Sequence, residues 1–130
     1  MHKLRHILII DDDEVSNMLT QITLNSAAAA DRVSTVLNGK EAVDRLESAQ
    51  EPFPDLILLD INMPLMNGFE FLEYWTRNGF TGYSKISMYT TSIRDEDKAL
   101  AAQYPDVIAY MEKSLNEEKI NHLLTLLESQ

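Results

Sequence analysis

The sequence predicts an α/β fold: five strand–helix units building a parallel sheet covered by helices on both faces. Three observations carry this. Short apolar or alternating runs recur at 7–10, 33–37, 56–59, 86–89 and 107–111, the length and pattern of strands in a small sheet. Stretches of helical period lie between them. Short crossovers between such units are right-handed and bring the strands parallel, with helices packed on the sheet.

The run at 56–59 organises the rest. Leu56, Ile57, Leu58 and Leu59 lead straight into Asp60, as a strand buried on both faces leaves the core. Pro64 has no N–H and a fixed φ, so the chain cannot continue the ladder there. Asn67-Gly68 is a turn signal, and helical pattern follows. A carboxylate therefore stands at the carboxyl end of a central strand, where open α/β sheets place ligands and chemistry.

The other elements follow in order. Residues 7–10 are apolar and end in Asp11, Asp12, Asp13 and Glu14. Val15, Met18, Leu19 and Ile22 then recur at i, i+3, i+4, i+7, an amphipathic helix whose acidic start suits the positive end of its dipole. Residues 25–30 read as its tail or a connection. Residues 33–37 alternate more than the other strands and read as an edge. Asn38-Gly39 turns the chain, and Ala42, Val43 and Leu46 mark a second helix, which ends before the proline-bearing segment 50–54. A third helix spans about 68–75, with Phe69, Leu72 and Trp75 as core contacts. Residues 78–84, with two glycines, form a loop. The fourth strand, 86–89, ends in Thr90-Thr91-Ser92, and Ser92-x-x-Asp95 resembles a helix start. The helix running on to Gln103 is mostly alanine and charge, so its apolar face is thin and it should be the most loosely held. The fifth strand, 107–111, ends near Lys113. Ser114-x-x-Glu117 matches a capping box, and Ile120, Leu123, Leu124 and Leu127 form the last apolar stripe.

Composition bounds the function. A chain of 130 residues, 45% hydrophobic, fits one domain with a sizeable core. It has no cysteine, so disulfides, zinc thiolates and redox dithiols are excluded, as expected in a reducing cytoplasm. The apolar run at 7–10 is too short for a signal peptide, and no stretch is long enough to cross a membrane. A formal charge of -10 repels a nucleic-acid backbone, so direct nucleic-acid binding is not expected.

Four of the five strands end in polar residues of distinct chemistry: Asp11 and Asp12, Asp60, Thr90, and Lys113. Each alone has a bland explanation as a turn, a cap or a solvated charge. A parallel sheet, however, puts all strand carboxyl ends on one edge, where these side chains converge. Converged carboxylates repel unless a cation neutralises them, and oxygen ligands without a Cys or His cluster suit Mg²⁺. A carboxylate can also accept a phosphoryl group, and a hydroxyl and an ammonium can hold the phosphoryl oxygens.

On these residues the chain resembles the CheY-like receiver domain of two-component response regulators. The matching segments are Ile9-Ile10-Asp11-Asp12-Asp13, Asn38-Gly39-x-Glu41-Ala42, Leu59-Asp60-Ile61-Asn62-Met63-Pro64-x-Met66-Asn67-Gly68, Tyr89-Thr90-Thr91-Ser92 and Tyr110-x-x-Lys113. They span essentially the whole chain, and the block from Asp60 to Gly68 is the most specific. The resemblance implies a flavodoxin-like three-layer sandwich with strand order 2-1-3-4-5, the second strand at an edge. It implies that Asp60 accepts a phosphoryl group from a sensor histidine kinase or a histidine phosphotransfer protein. Mg²⁺ (or Mn²⁺) would be held by Asp12, Asp60 and the backbone carbonyl of Asn62, with Asp11 acting through water. Lys113 would pair with the Asp60 carboxylate and then its phosphate. Thr90 would hydrogen-bond a phosphoryl oxygen, and Tyr110 would follow it inward as the conformational readout.

Some points stay open. From the residues alone the metal pair is Asp12 and Asp13 or, in the family register, Asp11 and Asp12. Ser114 stands where the family commonly has a proline after a cis bond. A cis bond before Ser114 costs about 3–4 kcal/mol, so it is either over-determined by the site or trans. Tyr110 is either a switch or an edge-strand aromatic that only packs. The expected protein is a signalling phosphoacceptor rather than an enzyme, a monomer or a weak phosphorylation-dependent dimer. Without an effector domain in this sequence it would act on an unknown downstream protein through the fourth helix, fifth strand and fifth helix. Two alternatives are an aspartate-nucleophile phosphatase or phosphotransferase, disfavoured because Asn62 replaces a general acid, and a receiver that binds partners without phosphorylation.

Overall fold

A computed structural model describes residues 3–48 and 52–130. Its elements alternate as β1 Leu4–Ile10, α1 Glu14–Ser26, β2 Ala30–Val36, α2 Gly39–Ser48, β3 Leu56–Leu59, α3 Gly68–Arg77, β4 Lys85–Thr90, α4 Asp95–Ala101, β5 Val107–Glu112 and α5 Glu117–Glu128. The strands form one parallel sheet of order β2-β1-β3-β4-β5, a flavodoxin-like fold. The apolar strands β1 and β3 lie inside it, and β2 is an edge as its alternation predicts. The expected break at 50–54 falls partly outside the described residues.

Alternate residues of the inner strands feed two cores. Leu8, Ile10, Ile57, Leu59 and Met88 pack on one face with α2 and α3, where Leu46, Phe71, Leu72 and Trp75 are buried. Ile7, Ile9, Leu58 and Tyr89 pack on the other with α1 and α5, through Leu24, Ile120, Leu123 and Leu124. Trp75 is pinned by its indole N–H, which donates to the buried Asp106 at 2.8 Å; Asp106 also accepts from the Gly82 amide at 2.8 Å.

Several local expectations are corrected. The stripe Val15, Met18, Leu19, Ile22 faces solvent, with each residue more than half exposed, while Asn17, Thr20 and Leu24 are buried. The period of α1 is as read, but its face is reversed. The polar residues go inward because they have partners there: Asn17 Nδ2 donates to the Asp11 carbonyl at 2.9 Å, and Thr20 Oγ1 lies 3.1 Å from the Tyr89 hydroxyl. Ser92 does not cap α4; Arg94 holds that position without a side-chain bond, and Ser92 Oγ donates to Asp97 instead. Likewise Asn116, not Ser114, caps α5 through the Lys119 amide. The capping box found is Asn67 with Glu70 at α3. β2 begins at Ala30, the last residue of the segment read as a helix tail or connection, and α4 ends at Ala101. Ala101 is the buried residue of α4, which fits the thin apolar face expected of it.

Candidate functional site

Sheet register assembles the site. Ile10 pairs with Leu59, and Leu59 with Met88, so Asp11 and Asp60 follow the ends of adjacent strands. The Asp60 amide donates to the Ile10 carbonyl at 3.0 Å, and the Lys113 amide to the Thr90 carbonyl at 2.9 Å. Four chain segments thus reach one edge of the sheet, as their shared parallel direction requires.

There, carboxylate oxygens of Asp11, Asp12 and Asp60 lie within 4.8 Å of one another. Asp11 and Asp60 are buried and Asp12 is exposed, so the cluster opens to solvent on the Asp12 side. Asp13 caps α1 by accepting from the Ser16 amide at 3.0 Å, which spends its carboxylate away from the cluster. Asp11 Oδ1 accepts from the Asp13 amide at 3.0 Å, and Asp60 Oδ1 from its neighbour Ile61 at 2.7 Å. The remaining oxygens share one cation: Lys113 Nζ hydrogen-bonds Asp11 Oδ2 and lies 3.3 Å from Asp60 Oδ2. The Lys113–Ser114 peptide is cis. Behind Asp60, Gly68 donates its N–H to the Ile61 carbonyl at 2.9 Å, and a Cβ there would come within 2.3 Å of the Asp60 carbonyl oxygen. Glycine is what lets α3 start so close to the site.

Burial and charge set the protonation tendencies. Burial pushes the Asp11 carboxyl up; Lys113 and the Asp13 amide pull it back, and the charge of Asp60 adds to the rise. Burial alone lowers the Lys113 ammonium, but its bond to Asp11 and the charges of Asp60 and Asp11 outweigh that, and it rises. These side chains are hard oxygen donors already gathered at one point, a donor set that suits Mg²⁺.

The other expected residues lie around this edge. Thr90 is fully buried, and its Oγ1 accepts from the Ser92 amide at 3.2 Å. Tyr110 is half-buried, with its hydroxyl donating to the Ser92 carbonyl at 3.1 Å and Lys98 Nζ 5.9 Å from its ring. Burial is the main reason its phenol pKa is raised. Asn62 sits exposed in the loop after Asp60. Sequence reasoning gave Tyr89, the last residue of the strand read at 86–89, no role of its own. It is core, but its hydroxyl also accepts from the Leu115 amide at 3.0 Å, and Lys113 Nζ lies 5.6 Å from its ring centroid. A phenol directly before a polar strand end was the available signal, since a buried Tyr hydroxyl finds a partner.

A doubly covered parallel sheet with an aspartate cluster and a lysine at its carboxyl edge defines a receiver-type signalling domain. The chain belongs to the response regulator receiver domain family, matched over residues 7–125. It is similar to a two-component response regulator of Oryza sativa subsp. japonica, 35% identical over 68 residues covering 52% of this chain and 53% of that protein. It is 34% identical over 112 residues to the regulator of RpoS of Escherichia coli K12, covering 86% of this chain and 32% of that one. The chain thus spans about half and about a third of these two relatives. The crystal structure of a two-component response regulator from Cytophaga hutchinsonii superposes with a TM-score of 0.90 at 25% identity, covering 99% of this chain and 100% of that one. Among the described residues no helix is long and apolar enough to cross a membrane.

Proposed function

We propose that this receiver takes a phosphoryl group onto Asp60 from a phosphohistidine on a sensor kinase or histidine phosphotransfer protein. The observation that carries the reading is the meeting of Asp11, Asp12 and Asp60 oxygens within 4.8 Å, with Lys113 bridging two of them. An Asp60 oxygen forms the new P–O bond. The P–N bond breaks, its electron pair stays on the imidazole nitrogen, and that nitrogen takes a proton from water. Asp12, Asp60 and the Asn62 carbonyl, supported by Asp11, would hold Mg²⁺ (or Mn²⁺), which when bound neutralises charge on the phosphoryl oxygens. Lys113 then pairs with the phosphate, and Thr90 turns its hydroxyl from the Ser92 amide toward a phosphoryl oxygen. Tyr110 follows, shifting a pre-existing equilibrium at the face of α4, β5 and α5, where a downstream protein binds.

The donor side of the reading rests on α1. Its exposed apolar row begins beside the site: Val15 and Leu19 line a groove of about 420 Å³ with Asp13, Ser114 and Leu115. An apolar helix face continuous with the phosphorylation site suits the protein that carries the phosphohistidine, because docking there brings the two reacting groups together.

The test is incubation with Mg²⁺ and acetyl phosphate. One phosphoryl group should appear, base-labile and acid-stable, and Asp60→Ala should abolish it. Incorporation that survives this substitution would overturn the assignment.

A further inference from the structure

Lys113 reaches the acidic cluster from the segment joining β5 to α5, and this segment is tied at both margins. On the outer side Lys119 Nζ donates to the Glu112 carbonyl at 2.8 Å and to the Ser114 carbonyl at 2.9 Å. On the inner side stands Tyr89, 1% exposed. Its hydroxyl accepts the Leu115 N–H at 3.0 Å and shares a hydrogen bond with Thr20 Oγ1 of α1 at 3.1 Å, and its ring lies below the Lys113 ammonium. One side chain therefore touches β4, α1, the loop carrying the lysine, and the lysine itself. Ser114 has a free φ that a proline would fix, so holding the loop falls to these side-chain bonds.

We propose that Tyr89 is a positioning residue for phosphorylation of Asp60, setting where the Lys113 ammonium sits over Asp11 and Asp60. This rests on the phosphoacceptor reading. The ammonium stabilises charge developing on the transferring group only where its distance is fixed in advance. The hydroxyl fixes the loop by its Leu115 bond and anchors itself on α1 by its Thr20 bond. The ring supplies a cation–π contact that favours the ammonium over a solvated position. Tyr89→Phe keeps the ring and the core volume but releases the loop, so it separates positioning from packing.

The experiment compares the full chain with Tyr89→Phe and Thr20→Val. Phosphorylation by acetyl phosphate is followed as a function of donor concentration, Mn²⁺ affinity is read by electron paramagnetic resonance, and the Lys113 side chain is observed by NMR in metal-free protein. In Tyr89→Phe the saturating rate constant should fall about tenfold, while half-saturation by acetyl phosphate and Mn²⁺ affinity stay within about twofold. The Lys113 side-chain resonances should move toward those of a mobile lysine. Thr20→Val should give a smaller fall in the same constant, because the Leu115 bond survives. A wild-type rate in Tyr89→Phe overturns the proposal, as does a rate loss matched by an equal loss of Mn²⁺ affinity. A wild-type chain that takes no phosphate sinks the phosphoacceptor reading instead, and the metal-free Lys113 spectra still decide whether Tyr89 holds the lysine.

Discussion

Lys113 hydrogen-bonds Asp11 across 102 residues of sequence, and the same ammonium stands 3.3 Å from Asp60. One positive charge thus serves two buried carboxylates, and this is not enough for Asp11. Burial leaves its carboxyl pKa raised from the ordinary 3.8 despite the lysine and the Asp13 amide. A carboxyl that keeps its proton to higher pH in the folded state than in the unfolded one costs stability as pH rises from the ordinary carboxylate range through the raised value. Asp11→Asn should therefore unfold at higher urea than the wild type at neutral pH in the absence of divalent metal. The advantage should shrink as pH falls toward the ordinary carboxylate range, because the folded wild type holds the Asp11 proton more tightly than the unfolded chain does. On the metal-binding reading proposed above, added Mg²⁺ should reverse the order, since a ligand that binds only the native state stabilises it by mass action and the variant would lack the support of Asp11. Urea midpoints across pH, with chelator and with Mg²⁺, decide this. A metal-free variant less stable than the wild type at neutral pH would contradict it.

Gly68 carries a prediction from space rather than from charge. Its missing Cβ would lie 2.3 Å from the Asp60 carbonyl oxygen and 3.0 Å from Ile61 Cα. Both are backbone atoms of the segment that aims Asp60, so no side chain can swing away to make room. Gly68→Ala should cost about 2 kcal/mol, in the range for overpacking a tight interior, and should also slow phosphorylation by acetyl phosphate. Coupled losses in the urea midpoint and the rate are expected; a loss in neither would mean that the β3–α3 junction yields freely.

The sequence showed the strands well where both faces are buried. Leu56–Leu59 was legible to the residue because a parallel inner strand has no polar face. β2 was legible as an edge but not in extent, since Asp31 and Arg32 break the apolar pattern of a strand with one open side. The convergence of Asp11, Asp60 and Lys113 was readable because a parallel sheet brings polar strand ends to one edge. α1 misled because periodicity tells which face is apolar and not which face is covered. Asn17 and Thr20 could turn inward only because the Asp11 carbonyl and the Tyr89 hydroxyl were there to meet them, partners set by tertiary structure. Two serines looked like caps at α4 and α5 because Ser-x-x-acid is a short motif. The chain instead starts these helices at Asp95 and Glu117, where neither serine is next to the first turn.

The reversed face of α1 makes the last prediction. Val15, Met18, Leu19 and Ile22 are 61%, 54%, 57% and 56% exposed, so the fold covers less than half of each, and burial in the core does not account for this apolar row. A protein partner does, because apolar anchors that are buried only on binding dominate interface energetics. Met18→Gln with Leu19→Gln keeps helix propensity and adds no charge. The double variant should melt like the wild type and react with acetyl phosphate at an unchanged rate, since neither residue contacts Asp60. Transfer from a panel of phosphorylated histidine kinases and phosphotransfer proteins should weaken by about 2 kcal/mol, roughly thirtyfold in the second-order rate constant for the responsive donor. Equal losses with acetyl phosphate and with protein donors would place the damage in the site, and undiminished transfer from the protein donor would show that it docks elsewhere.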